Sequence, residues 1–262
     1  MQMCTAAERS PFPPKKVVIV CGRFVAAAPV EDIAAYFAAT LADTDLPKNY
    51  NVAPTEEVYG VVHGTDGREL HVFHWGLVPF WAKDRKIAAR MINARAETIA
   101  EKPAFARLFT AQRCIVPADG FYEWQTLGMA GKKPVKQPYF IQRSDREPLA
   151  MAGIWSSWRD PNSTEPTRLH TLSIITTVAN ELMRPLHDRM PVLLPPGSWD
   201  RWLDPRVNNV EWLGGLLVPA PNELLTRWPV ASDVNSVRNK SAQLIEPVPL
   251  TASAVPLHLG TS

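Results

Sequence analysis

The chain predicts an α+β fold, a single domain on a mixed or antiparallel, barrel-like β-sheet flanked by short helices. Three observations lead there. Candidate strands outnumber candidate helices, and the two do not alternate as βαβ units. No linker and no internal repeat divides the 262 residues. A composition that is 46% hydrophobic, with nine Trp, will fill a sizeable core.

Residues 1–20 stand apart as a leader or as sequence upstream of the true start, and 1–16 carry Pro11, Pro13 and Pro14 without an apolar period. The β-branched run from Val17 to Phe24 predicts a strand. A helix then starts at Pro29 with Val30, Ile33, Ala34, Phe37 and Leu41 on one face. Asp43 to Asn49 reads as a loop, followed by the turn Tyr50-Asn51-Val52-Ala53-Pro54-Thr55. Two strands, Glu57–His63 and Glu69–Trp75, flank the hairpin signal Gly64-Thr65-Asp66-Gly67. The rigid Trp75–Trp81 segment precedes a basic stretch, Lys83–Arg90, and Ile92–Thr98 leads into a short helix ending near Phe109.

Further strands are predicted at Arg113–Val116, Phe121–Gln125, Tyr139–Arg143, Leu149–Trp155 and Leu169–Thr177, with Gly128–Lys136 as a basic turn. The segment 186–192 precedes another strand. Helices are expected at Ser198–Leu203 and Val210–Leu217, and the domain runs from 21 to 246 before a loosely ordered tail, 247–262.

A net charge of +2 excludes neither a nucleic acid nor a small molecule as partner, because local clustering outweighs the sum. Three cysteines without C-x-x-C spacing, Cys4, Cys21 and Cys114, indicate neither a disulfide framework nor a zinc knuckle, and fit a reducing, cytoplasmic compartment. Cys114, inside an apolar strand, reads as a buried thiol. His71 and His74 are three apart, which on a strand points them to opposite faces and argues against a metal pair. No cofactor is expected. No apolar run reaches membrane-spanning length, and Lys15-Lys16 plus four aliphatics is too short for an export signal before Arg23.

Five polar islands interrupt the apolar pattern: Cys21 with Arg23, the Asn51 turn, Asn93 with Arg95, Glu123, and His187 with Arg189. Glu123 sits in Phe-Tyr-Glu-Trp, where burying a carboxylate is costly unless it is paired or protonated. A strand-edge Glu facing water is the simpler account of that residue in isolation. His187 alone reads as a hydrogen-bonded structural histidine, and Arg23, Arg95 and Arg189 as surface charges. The basic residues Lys132, Lys133 and Lys136 fit a solvated turn better than a binding surface.

Taken together, the islands resemble the SOS-response-associated peptidase (SRAP) family, whose members shield abasic sites in single-stranded DNA. The resemblance rests on Cys-Gly-Arg-Phe at 21–24, Tyr-Asn-Val-Ala-Pro at 50–54 and Trp-Gly-Leu-Val-Pro at 75–79. It continues through Ile-Asn-Ala-Arg-Ala-Glu-Thr at 92–98, Ala-Asp-Gly-Phe-Tyr-Glu-Trp at 118–124 and His-Asp-Arg-Met-Pro at 187–191, and closes with Asn235–Asn239. In that family the cysteine follows the initiator Met, a place that Val20 occupies here if a GTG codon is the start. Residues 1–20 depart from the pattern, since they would acylate the reactive amine.

The resemblance implies covalent capture of abasic sites by an N-terminal Cys21. The α-amine, with an ordinary pKa of about 7.7–8.0, would attack the sugar aldehyde, and the thiol would close a thiazolidine. It further implies that Glu123 shuttles protons at the amine, that His187 protonates the sugar ring oxygen, and that Asn93 orients the sugar or amine. Arg23, Arg95 and Arg189 would hold phosphates. Pro54 and Trp81 would wedge at the baseless position, with Thr176 and Asn51 in support; many members carry a second aromatic where this chain has Ala82. Trp75 reads as core.

Strand cleavage at the lesion and thiol autopeptidase activity also fall within what the family implies. Two other classes stay open on the residues alone. One is a thiol peptidase with Cys21 as nucleophile, His187 as base and Asn93 or Glu123 as orienter. The other is a non-covalent single-strand binder in which Cys21 is structural. Nothing points beyond a monomer.

Overall fold

The structure, a computed structural model, describes residues 21–42, 45–164 and 166–250. Its strands are β1 (Phe24–Ala26), β2 (Ala39–Leu41), β3 (Asn49–Val52), β4 (Glu57–His63), β5 (Arg68–Trp75), β6 (Asn93–Arg95) and β7 (Arg113–Ala118). They continue with β8 (Gly120–Ala130), β9 (Lys133–Arg143), β10 (Leu149–Trp158), β11 (Leu169–Val178), β12 (Arg189–Pro191) and β13 (Leu225–Pro229). Four short helices accompany them: α1 (Val30–Tyr36), α2 (Ala106–Ala111), α3 (Trp199–Leu203) and α4 (Val210–Gly215).

The expected barrel-like α+β architecture is present. Strands β4, β5, β11, β10 and β7 close on themselves, because β5 pairs with β11 in parallel at His74–Thr171 and Trp75–Leu172 while the other neighbours pair antiparallel. Closure removes the free edges that an open sheet exposes. A second, antiparallel sheet runs β13-β9-β8-β1-β3. One apolar cluster, including Phe24, Trp75, Phe121, Met151 and Ile174, joins residues of both sheets. Another packs α1 to α4 against the barrel through Ile33, Phe37, Phe109, Trp202 and Leu213.

Several boundaries differ from the sequence expectation. Val17–Val20 lie outside the described residues, and the strand there spans only Phe24–Ala26. The helix stops at Tyr36, not Leu41, because Ala38 turns to φ +47° and the chain then lies parallel to β5, leaving Leu41 exposed. Asn49–Val52 is strand rather than loop and turn, paired with β1. The basic turn shrinks to Gly131-Lys132, since β8 and β9 pair out to Ala130–Lys133 around a bulge at Thr126–Gly128. Gly131 takes φ +61°, which suits the tight turn. Strand β13 was not expected, its apolar residues being too few to alternate. Pro247 and Val248 pair beside it at Val230 and Pro229.

Among the described residues no helix is long and apolar enough to cross a membrane, and no group of three His, Cys, Asp or Glu side chains could hold a metal ion. Cys114 is buried in the core.

The barrel's flank is fastened by a buried cation. Arg113 donates to the carbonyls of Phe109, Trp202, Asp204 and Val207, which gathers the ends of α2 and α3 onto β7. Arg113→Met should therefore lower the unfolding free energy by about 3–5 kcal/mol, because those carbonyls lose their donors. A urea midpoint that falls at unchanged m-value checks it.

Candidate active site

The antiparallel pairing of β1 with β8 builds the centre of the site. Phe24 faces Phe121, and the Tyr122 amide donates to the Arg23 carbonyl at 3.0 Å, so Cys21–Arg23 run alongside the end of the Phe-Tyr-Glu-Trp motif. Strand alternation then sends Phe121 and Glu123 to the core face and Tyr122 and Trp124 to the other. Glu123 is 3% exposed, and its Oε1 accepts the backbone N–H of Cys21 at 2.7 Å. It is buried beside Cys21 and not at a water-facing strand edge.

Burial dominates the electrostatics. It pushes the Glu123 carboxyl up to about 8, against the smaller downward pulls of the Cys21 and Trp124 amides and Lys136; Asp188 adds to the rise. The Cys21 thiol is driven well above its ordinary value by burial, then by Glu123. His187 is lowered, first by burial and then by Lys136 and Arg189, with Asp188 opposing. Asp188 and Lys136 act on both Glu123 and His187, so these two groups share one electrostatic neighbourhood.

His187 is fixed by the turn before β12. Its amide donates to Met183, and Ala179 donates to the Asp188 carbonyl. Its Nδ1 stands 2.7 Å from Asp188 Oδ1 and 3.1 Å from the Arg189 amide. In the tautomer protonated at Nε2, Nδ1 accepts the Arg189 N–H; protonated at Nδ1, the ring donates to Asp188.

Asn93 and Arg95 lie on β6, parallel to β11 at Ile174 and Thr176. Asn93 is half-buried and Arg95 exposed. Arg189 is 8% exposed, and its guanidinium donates to both carboxylate oxygens of Glu97 and to the Thr176 carbonyl and hydroxyl. Arg23 donates to Asn51 Oδ1 at 2.7 Å and to the Val234 carbonyl at 2.8 Å. Of the three arginines, Arg95 is exposed, Arg23 is partly exposed in the cleft wall and Arg189 is buried. Arg23 and Arg189 hold the walls together in this geometry.

Asn51 is wholly buried. Its Nδ2 group is shared among the carbonyls of Val234, Ser236 and Asn239, which docks the closing motif onto β3. Trp124 Nε1 donates to Asn235 Oδ1, and Lys240 bridges the Asn51 carbonyl to Glu56. The result is a cleft of about 520 Å³ lined by Gly22, Arg23, Pro54, Thr55, Glu123 and Val237, among others. Thr55 adopts φ +75°, costly for a β-branched residue, with its amide donating to the Trp75 carbonyl.

Trp81 is 55% exposed on the loop after β5, whereas Ala82 is buried; the second exposed aromatic precedes Trp81 and is Phe80. Trp75 is core, its Nε1 bonded to the Ile92 carbonyl. Two contributors to the site carry no signal in the sequence: Lys136 reads as one more turn cation, and Thr55 has an ordinary residue type.

The arrangement defines a class: a buried cysteine whose main-chain N–H donates to a buried, protonatable carboxyl, beside an open cleft. Similarity to known proteins gives the family. The model of the family "SOS response associated peptidase (SRAP)" matches residues 20–237. "Abasic site processing protein YoqW" of Bacillus subtilis is 39% identical over 229 residues, covering 87% of this chain and 99% of that protein. "Abasic site processing protein YedK" of Escherichia coli is 32% identical over 239 residues, covering 87% and 100%. A crystal structure of a protein from Bacteroides thetaiotaomicron superposes with a TM-score of 0.75 at 30% identity, covering 87% of this chain and all of that one. The chain belongs to the SRAP family.

The raised Glu123 carboxyl carries a stability consequence. Between about 4.5 and about 8 the folded state holds a proton that the unfolded chain releases, so stability falls as pH rises through that window. The expected slope approaches about 1 kcal/mol per pH unit. Glu123→Gln should flatten it, which denaturant titrations of the full chain from pH 5 to 9 will read.

Proposed function

We propose that the protein, in a form beginning at Cys21, captures abasic sites in single-stranded DNA as a thiazolidine crosslink that shields the lesion. The 2.7 Å contact between the Cys21 nitrogen and Glu123 Oε1 carries this reading, because it sets a proton acceptor and donor at the atom that must attack. Family membership, the names of the relatives, the open cleft lined by Arg23, Pro54 and Glu123, and the exposure of Arg95 and Trp81 support it.

An abasic sugar is a cyclic hemiacetal in equilibrium with a ring-opened C1′ aldehyde. His187 as imidazolium, its Nδ1–H held by Asp188, gives its Nε2 proton to the ring oxygen. The C1′ hydroxyl proton passes to water, from which the imidazole is reprotonated; burial lowers the His187 pKa and so makes it the stronger acid. Glu123 takes a proton from the Cys21 ammonium, and the free amine adds to C1′ to form a carbinolamine. Protonated Glu123 then donates to the carbinolamine hydroxyl, which departs as water and leaves an iminium, whose N–H proton returns to the Glu123 carboxylate to give the imine. Sulfur adds to the imine carbon while the thiol proton passes to nitrogen, closing the five-membered ring. Burial discourages a free thiolate at Cys21, so sulfur loses its proton as it adds. Asn93 orients the sugar, Arg95 holds a flanking phosphate, and Pro54 with Trp81 fills the baseless gap.

With an oligonucleotide bearing one abasic site, the Cys21-first form should give a denaturant-resistant adduct. Cys21→Ala should abolish it, and Glu123→Gln should slow it by about 10²–10⁴-fold, the usual worth of a positioned acid–base group. Undiminished crosslinking by Cys21→Ala, or equal crosslinking by a chain that retains residues 1–20, would overturn the proposal. Efficient peptide cleavage without any adduct would point to a thiol peptidase instead.

A further inference from the structure

The loop from Gly76 to Met91 presents two large aromatic side chains outward, Phe80 at 62% and Trp81 at 55% exposure. The loop is not simply loose. Its inward residues Val78, Ala82 and Ala88 pack with Trp158, whose Nε1 donates to the Ala82 carbonyl at 2.7 Å. The Ala82 amide donates to Pro79, Val78 donates to the Thr171 hydroxyl, and Asp84 caps the following 3-10 turn at Lys86. Anchored from within, the loop holds Phe80 away from the core.

The surroundings are cationic. Arg107, exposed on α2, stands with Cζ 5.8 Å from the Phe80 ring centroid. The stretch just after the aromatics carries Lys83, Arg85, Lys86 and Arg90 against a single acid, Asp84. The loop also joins the cleft directly. Gly76 donates to Leu172, Leu77 to Met91, and the Trp75 carbonyl accepts from Thr55 in the cleft wall.

Exposed aromatic faces beside guanidinium and ammonium groups match unpaired nucleobases on a phosphate backbone, since every base offers a π-face once it leaves a duplex. We propose that Phe80 and Arg107 form a stacking platform for one unpaired nucleobase flanking the lesion, separate from the Trp81 wedge. This rests on the single-strand reading above. Phe80 supplies the ring, and Arg107 supplies a guanidinium plane beside it together with charge toward the adjoining phosphate.

The test uses a single strand with a central tetrahydrofuran unit, which cannot open to an aldehyde, so only reversible binding is read. The base at each flanking position is replaced in turn by the same baseless unit, and binding is measured by fluorescence anisotropy for the full chain and the Cys21-first form. Wild-type protein should lose about tenfold or more in affinity at one position. Phe80→Ala should bind more weakly to the parent strand and show no further loss there. Arg107→Lys should also lose that position's dependence while keeping the wild-type salt slope, whereas Arg107→Ala should reduce the slope by about one.

A flat base scan for wild type, or an unchanged scan in Phe80→Ala, overturns the platform. If Cys21 still crosslinks a true abasic site in that case, the proposed function stands without it; absence of any strand binding removes both. A concentration-dependent dimer that Phe80→Ala dissolves without changing DNA binding would assign the aromatic face to a second copy and also overturn the inference.

Discussion

Strand β11 is the constraint on which the rest of the structure depends. It closes the barrel by running parallel to β5, and further along it receives β6 in parallel and β12 antiparallel. Strands β5 and β6 run in the same direction along successive stretches of β11, Trp75 opposite Leu172 and Asn93 opposite Ile174, so the residues from Gly76 to Ile92 leave the sheet and return to it two positions further along. That excursion is the loop bearing Phe80 and Trp81. The same pairings set Asn93 and Arg95 opposite Ile174 and Thr176, and set Arg189 opposite Val178, where its guanidinium meets Glu97 and Thr176. A slip of one residue would turn each of these side chains to the opposite face.

Against that frame stands the smaller antiparallel sheet, with the chain around Cys21 beside Glu123. Its contribution is desolvation. A carboxyl surrounded by aromatic and aliphatic groups is held near neutrality, where it is able both to take and to give a proton. Lys136 and Asp188 act on it with opposite signs, and they act on His187 as well. Proton affinities at the two groups are therefore coupled through charges at the rim, and a phosphate arriving near Lys136 would raise both.

The closing motif shows how buried polar groups fix a site without touching a substrate. Asn51 is surrounded by carbonyls from residues nearly two hundred positions away, and Arg23 and Lys240 complete the same network. Leaving such groups unpaired would cost more than their bonds contribute, so the network specifies one arrangement of the cleft wall. Two of the three arginines expected at phosphates hold walls in this arrangement. Arg95, and on the proposed platform Arg107, face outward.

The sequence by itself determined the strand-rich single domain, the positions of β4, β5, β10 and β11, and the set of polar islands. Periodicity and turn residues act locally, and charged or thiol side chains in apolar runs are visible without coordinates. It also identified Trp75 and Cys114 as core. What only the tertiary structure decided was which islands meet. Glu123 could have been an edge residue until β1 paired with β8 and covered it. Asn49–Val52 became strand because β1 was there to bind it, and β13 because β9 offered an edge. Arg23, Arg95 and Arg189 are alike as letters; burial and partners, set by residues far along the chain, made two of them braces and left one free to face solvent.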